Sequence, residues 1–493
     1  MNEFIKITPE NHDEVIAKVP GKLYILYFSA DCVFCREAVI DLINMPENSL
    51  FTYAVCQVDE AKDFRRNENI LSLPTVRVYE NGVKIRETDG YNRVYGINYD
   101  MRGSIEKCDD FHTVYADNAA TTAMSKKALK AFVDCARETY GNPSANYDLG
   151  LKARSTISNA RFAIGRDLNL KSGSVIFTGG GSEADNLALY SAFKEGIRQN
   201  RRHMITSAVE HHAVLHTMES FRESGFEITV LGVDEKGRIS LEELAAAIRP
   251  DTILVSIMFA NNEIGTLQPV KKIGALCKKC GVLYHCDAVQ AAGHVKIDLA
   301  KLNIDYLSIA AHKFNGPKGV GALVVSGSAP VSPLILGGSQ ESSRRAGTEN
   351  VQGIQAMATA LDEHCRHMKR DTQKTRELTE KLISGLQSIP DIVFNGDLEN
   401  RLPGTVNVSF RNVKGRELLF LLDAGYGICV SGGSACNTNS GKPSHVLRAL
   451  GLPDELAESA VRISLSQDNS EEDVGYIVNA LRESVDYLRS MHQ

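Results

Sequence analysis

No stretch of this 493-residue chain is apolar over the length a membrane span requires, and its opening MNEFIKITPENHDEV has neither the basic stretch nor the apolar core of a secretion signal. These two absences lead us to expect a cytoplasmic protein with no membrane partner. A block dense in lysine and arginine is also missing, and 55 basic against 61 acidic residues leave a formal net charge of -6. The electrostatic footprint of a nucleic-acid binder is therefore lacking. Internal repeats and low-complexity tracts are absent too, which argues against solenoids and disordered arrays. The 11 cysteines are odd in number and scattered, so reactive or merely buried thiols are expected rather than a disulfide framework. What is present is a globular composition, 43% hydrophobic, with length for roughly two to four domains.

Two apolar runs, residues 306–311 and 321–325, read as buried strands, and the Gly/Pro-rich turn between them presents Lys313 beside His312. A lone turn lysine is ordinarily solvated; its context gives it weight. Upstream, the apolar strand of VLYHCDAVQ delivers Asp287 and then Gln290. A lysine able to form a Schiff base, and an acid able to hold a pyridinium nitrogen protonated, are what a pyridoxal phosphate enzyme requires. Earlier still, VIFTGGGSEADNLAL runs from a β-rich segment through Gly179, Gly180 and Gly181 into a helical pattern beginning near Ser182. Consecutive backbone N–H groups at a helix start, backed by the helix dipole, form a phosphate cradle.

From about residue 114 to the C-terminus the sequence resembles the cysteine desulfurases of the class V aminotransferase group. The motifs that carry the resemblance are YADNAATT, GNPSA, FTGGGSEADN, TSAVEHHAVL, FANNEIGTLQPV, YHCDAVQ, AAHKFNGPKG, RRAGTEN, SGGSACNTN and VRISLS. The length of the segment around SACNTNSGKPSHVLRALG resembles the long-loop class that serves iron–sulfur cluster assembly.

The resemblance implies an α/β fold of the aspartate aminotransferase-like, fold type I kind, with a large cofactor-binding domain over residues 113–368 and a smaller α+β domain over 369–493. It implies pyridoxal phosphate as cofactor and a homodimer. By the same resemblance Gly181 and Ser182 hold the phosphate with His312 beside them, and Thr348 reaches the phosphate of the neighbouring subunit. Asn262 and Gln290 bond the phenolic oxygen, Asp287 faces the ring nitrogen, Lys313 is the Schiff-base lysine, and His211 stacks on the ring and handles protons. Asn142 and Arg462 meet the substrate carboxylate. Cys436 takes sulfur from L-cysteine as a persulfide, leaving L-alanine. In that class the same cysteine helps bind a nascent iron–sulfur cluster, and the sulfur passes to an acceptor such as a cluster scaffold protein. Two departures stand out. Tyr147 replaces a histidine common in the family, and Ala310 replaces a common serine, removing one phosphate hydrogen bond worth about 0.5 to 1.5 kcal/mol. The alternative substrate is selenocysteine or another amino acid, which Cys436 and its long loop disfavour.

The first hundred residues read differently. KLYILYFSA is a buried-strand run, and DCVFCREAVIDL follows with helical spacing, which sets Cys32 and Cys35 at a strand-to-helix junction where a thiolate is favoured. FTYAVCQVDE reads as a second strand and LSLPTVRVYENGVKIRE as a hairpin turning at Asn81-Gly82. This order resembles the thioredoxin fold, with a domain over residues 1–105. By that resemblance Cys32 attacks, Cys35 resolves, and Pro74 is the cis-proline facing them. Val33-Phe34 between the cysteines, and Leu26 where thioredoxins place a buried acid, depart from the pattern. The resemblance suggests that this domain reduces or relays the Cys436 persulfide, with a thioredoxin reductase as partner. A docking module without redox turnover is the alternative. A second CxxC, Cys277 to Cys280, has no further ligand pair and reads as ordinary thiols.

Overall fold

The structure, a computed structural model, describes residues 5–29, 35, 51–59, 61–68, 70, 73, 75–89, 113–432 and 443–491. Cys32, Pro74 and Cys436 lie outside the described residues, as do the segment between the two domains and most of the helix expected after Ala30. The chain divides into two units, residues 1–112 and 113–493.

In the first unit, strands β1 (Ile5–Ile7), β2 (Lys22–Phe28), β3 (Phe51–Gln57), β4 (Thr75–Glu80) and β5 (Val83–Asp89) form one sheet in the order β1-β3-β2-β4-β5. The first three pair in parallel, whereas β2, β4 and β5 pair antiparallel. The aromatic, aliphatic composition of β2 suits its central place, since Leu23 through Tyr27 are all buried. The expected hairpin is present: Asn81 and Gly82 both adopt left-handed backbone, φ 50° and 84°, as a two-residue turn demands. Ile7, Ile16, Ile25, Ala54 and Val58 share the core. Leu26 is buried, and Cys35 is buried.

The second unit begins with β6 (Val114–Tyr115) and then builds a seven-stranded sheet from β7 (Gly173–Thr178), β8 (His203–Ser207), β9 (Glu227–Leu231), β10 (Thr252–Ser256), β11 (Leu283–Asp287), β12 (Tyr306–Ala310) and β13 (Gly321–Ser326). Their order is β7-β13-β12-β11-β10-β8-β9. Only β13 runs antiparallel to its neighbours. A parallel sheet needs cover on both faces, and alternate residues provide it. Val175, Phe177, Leu307 and Ile309 face one helical layer, while Ile176, Tyr306, Leu323 and Val325 face the layer containing helix Gly181–Gln199.

Strand β10 is shorter than the apolar run ILVSIMFANNEIG suggests. It stops at Ser256 because the Met258 N–H goes to the buried Glu210 carboxyl (2.9 Å) and not to a strand neighbour. The chain beyond stays buried along β11, with Phe259 N–H on the Asp287 carbonyl at 2.8 Å.

Strands β14 (Ile392–Asn395), β15 (Thr405–Phe410), β16 (Ile428–Cys429), β17 (Ser431–Gly432) and β18 (Ala460–Ser464) follow. They make an antiparallel sheet β14-β15-β18-β17, while β16 pairs in parallel with β6. One helix of 36 residues, Val351–Leu386, runs through positions 368 and 369 without a break. Its first half packs in the large-sheet core and its second half, with Leu378, Leu382 and Leu386, in the core of the smaller sheet. Val114 and Ala116 join that smaller core although they lie at the other end of the unit's sequence.

Candidate active site

In an open parallel sheet, ligands gather beyond the carboxyl ends of the strands. Strand β11 ends on Asp287, β12 passes through one short turn, Ala311–Lys313, to its lysine, and β8 leads to Glu210 and His211. Residues 117–122 lie across these ends and tie them together. Lys313 Nζ donates to the Ala119 and Ala120 carbonyls at 2.7 and 2.8 Å, and Gln290 Nε2 donates to the same Ala119 carbonyl at 2.9 Å. His312 Nδ1 lies 3.2 Å from Thr121 Oγ1, and Arg462 Nη2 donates to Asp117 Oδ1 at 2.7 Å. These contacts make the motif YADNAATT the hub of the site.

Asp287 is buried, with Oδ1 accepting the Val289 N–H at 2.9 Å. Burial, with the Asp185 carboxyl nearby, pushes its own carboxyl up to about 7. His211 caps helix His212–Phe221, its Nδ1 accepting the Ala213 N–H at 3.1 Å, so the neutral ring carries its proton on Nε2. Burial lowers the His211 pKa while Asp287 pulls it upward.

Behind this pair lies a second tier that the sequence reading did not assign. His285, fully buried, meets Ser256 Oγ at 2.8 Å, Ser308 Oγ at 3.0 Å and Asp185 Oδ1 at 3.4 Å. Burial takes the imidazole down to about 4 and the Asp185 carboxyl up to about 7. Glu210 is likewise buried and pushed up to about 8. A histidine inside the apolar strand LYHCD, and a glutamate closing the buried run before His211, were the available signals, since buried polar groups need a reason.

At the head of helix Gly181–Gln199 the first intrahelical bond is from Ala184 N–H to the Gly180 carbonyl, 3.2 Å. The N–H groups of Gly181, Ser182 and Glu183 thus precede the ladder, as at any helix start. A Cβ added to Gly181 would come 2.7 Å from Val289 Cγ2 and 3.4 Å from Ala310 Cβ, so glycine is what allows this close approach. Thr348 lines a cavity with Thr178, Gly179 and Arg345, whose guanidinium is paired to Glu183 at 2.8 Å.

Arg462, on β18, is 2% exposed. Its Nη1 donates to the Asn262 carbonyl at 2.9 Å, and its buried Nε has no partner among the described residues. Asn142 is exposed, and its Oδ1 accepts the Ser144 N–H within its own loop at 2.9 Å. Tyr147 is 58% exposed just before helix Asp148–Asp167. Cys277 is buried, its thiol pushed up to about 12, whereas Cys280 is exposed, so the second CxxC presents no joint site. The cradle at Gly181, the buried acid Asp287 and the amine of Lys313 fit a phosphorylated pyridine aldehyde, and the orphaned Nε of Arg462 fits a carboxylate beside it.

Comparison with known proteins gives the family of the second unit. The family "Aminotransferase class-V" matches residues 114–477. A cysteine desulfurase IscS of Methanosarcina thermophila is 46% identical over 379 residues, covering 77% of this chain and 93% of that protein. A cysteine desulfurase IscS of Clostridium botulinum is 44% identical over 385 residues, covering 77% and 96%. A solved structure of a NifS-like protein superimposes with a TM-score of 0.71 at 38% identity, over 76% of this chain and all of that one. The α/β architecture of the second unit is thus that of the pyridoxal phosphate-dependent aminotransferases, and the family match leaves the first unit outside it. Among the described residues no helix is long and apolar enough to cross a membrane. By its family match and the identity of its relatives, the chain belongs to the class-V aminotransferase family, in its cysteine desulfurase group.

Proposed function

We propose that this enzyme takes sulfur from L-cysteine and releases L-alanine. The observation that carries the reading is the shared segment 117–120. It holds the Lys313 amine through two carbonyls and, through Asp117, a buried Arg462 whose Nε is open. An amine and a carboxylate receptor on one short segment suit an α-amino acid. Pyridoxal phosphate, when bound, supplies the electron sink for charge developing at the substrate Cα. Gly181, Ser182 and His312 would hold its phosphate, with Thr348 reaching the phosphate of the neighbouring subunit, Asn262 and Gln290 would hold its phenolic oxygen, and Asp287 its ring nitrogen. Arg462 orients the substrate carboxylate, with Asn142 at the rim, Lys313 moves the α-proton, and His211 shuttles protons near neutrality. Cys436 thiolate attacks the substrate sulfur: the Cβ–S bond breaks, an S–S bond forms on Cys436, and the carbon skeleton takes up a proton and leaves as L-alanine. The persulfide then passes to an acceptor, an iron–sulfur scaffold protein, with a nascent cluster as cargo on the same cysteine.

A homodimer belongs to this reading. Leu129 (50%), Phe162 (74%) and Leu336 (79%) are exposed apolar side chains of a kind that a second copy would cover. The first unit we read as thioredoxin-like, supported by its β1-β3-β2-β4-β5 order with a parallel and an antiparallel half. In this reading Cys32, opposite Pro74, attacks the Cys436 persulfide, Cys35 closes a disulfide, sulfide leaves, and a thioredoxin reductase restores the dithiol.

The test is L-alanine formed from L-cysteine by the loaded enzyme and by its Cys436→Ala variant. Alanine from the parent alone is expected. Equal alanine from both rules out Cys436 as the acceptor, and alanine from neither, with turnover of selenocysteine, moves the substrate. For the first unit, sulfide release from the parent and from Cys32→Ser/Cys35→Ser is compared with reductase supplied, and equal rates overturn the relay.

A further inference from the structure

Arg462 is nearly fully buried, yet only part of its donor set is engaged. Of the five N–H donors on a guanidinium, its described bonds engage one on Nη1, to the Asn262 carbonyl, and one on Nη2, to Asp117 Oδ1, while Nε is buried without a partner. Its backbone is fixed in the middle of the smaller sheet, paired to Asn407 on one side and Ser431 on the other. Asp117 is fixed as well. It bridges Ser464 in parallel register, and the next residues bond Ser464 through Asn118 Nδ2 (2.8 Å) and the Ala119 N–H (2.9 Å). The carboxylate of Asp117 is therefore a standing counterion at 2.7 Å, 18% exposed against 2% for its arginine. Glu263, buried nearby, is engaged instead by Ser444 Oγ at 2.5 Å, and burial pushes its carboxyl up to about 7. The neighbouring cation, Lys313, sits on the same segment through the Ala119 carbonyl.

A substrate carboxylate arriving at this fork meets the open donors and, beside them, a fixed negative charge. A plain carboxylate feels the repulsion in full. An amino-acid zwitterion brings its ammonium group, and Asp117 attracts that group as it repels the carboxylate. We propose that Asp117 is a positioning residue that tunes the grip of Arg462, so that the pocket selects amino-acid zwitterions over plain carboxylates. The proposal rests on the reading of Arg462 as the carboxylate receptor. Before substrate binds, the same carboxylate spares the buried guanidinium an uncompensated charge, which in a protein interior is strongly unfavourable.

The experiment is calorimetric titration of the full-length, cofactor-loaded protein with propanoate and with L-alanine, which differ by the amine alone. In Asp117→Asn, an isosteric change that keeps an oxygen acceptor for Nη2, propanoate should bind about tenfold tighter while L-alanine changes less, so the selectivity ratio falls about tenfold. For L-cysteine turnover, KM moves and kcat is retained. Asp117→Ser gives the same direction from a smaller side chain and guards against a variant-specific packing effect. An unchanged ratio in both variants overturns the proposal. Arg462→Met separates the two levels. If it leaves propanoate affinity unaltered, Arg462 is not the carboxylate receptor, and the underlying reading falls together with the inference built on it.

Discussion

Two buried arginines, one in each unit, show how the same side chain is used for opposite ends. Arg77, on β4 of the first unit, is 2% exposed and closed off. Its Nε donates to Glu87 at 2.9 Å, Nη1 to Glu68 at 2.8 Å, Nη2 to the Glu68 carbonyl, and its guanidinium lies 5.2 Å from the centre of the Tyr27 ring. Arg462, equally buried, has one carboxylate, one carbonyl and an unfilled Nε. Every nitrogen of the first has a bond, whereas the Nε of the second has none among the described residues. Burying a guanidinium without partners is costly, and the unfilled Nε of Arg462 is what supports the proposal that this arginine receives a carboxylate.

The contrast breaks most sharply at Arg77. Arg77→Ala leaves two glutamates without their shared partner and should destabilise the first unit by about 3 kcal/mol, at the lower end for a buried pair because both carboxylates retain some exposure. Hydrogen exchange in β2 and β4 of the intact protein would rise, with alanine formation by the second unit unchanged. Arg77→Met, which packs without charge, should recover most of the loss. At Arg462 activity is lost as well: Arg462→Ala should lower kcat/KM for L-cysteine about a hundredfold, from loss of a charge-assisted fork worth about 2 to 3 kcal/mol, besides the stability lost when Asp117 is left without its partner. An unchanged kcat/KM in this variant would erase the distinction.

A finer test concerns Glu263, the other acid near Arg462. Burial raises its carboxyl from 4.5 to about 7. Its folded-state pKa is the higher one, so its contribution to stability is complete below about 4.5 and is lost as the pH rises through about 7. Glu263→Gln should therefore flatten the fall in melting temperature between pH 5 and 8 relative to the parent. A variant that parallels the parent across this range would mean Glu263 is ionised and acts as a second counterion. The smallest effect is expected at the cradle. Gly181→Ala pushes a methyl toward Val289, at an overpacking cost of about 1 kcal/mol, and should weaken pyridoxal phosphate retention a few-fold with neither arginine affected.

Much of the site was legible because it is written in local patterns. Strand-ending Asp287, the turn lysine and the glycine run before helix Gly181–Gln199 each follow from periodicity and breakers, and the structure brings Lys313, Gln290 and His312 onto one segment. Other features were illegible. The stripe of Leu129, Phe132 and Val133 has the spacing of a core face, yet Leu129 is 50% exposed while Ala128 and Cys135 are buried, because amphipathic spacing does not say what covers the apolar side. Strand β10 ended early through one side-chain bond from Glu210, which no propensity anticipates.

By itself, then, the sequence determined most of the elements, the α/β class of the second unit and the candidates for its reactive side chains, since these depend on residue type and short spacing. Only the tertiary structure decided that residues 117–122 join β12 to β18. It alone settled that one continuous helix serves two sheets, and that Arg77 is closed while Arg462 is open. These are matters of which distant groups meet, and burial makes each meeting or omission count energetically.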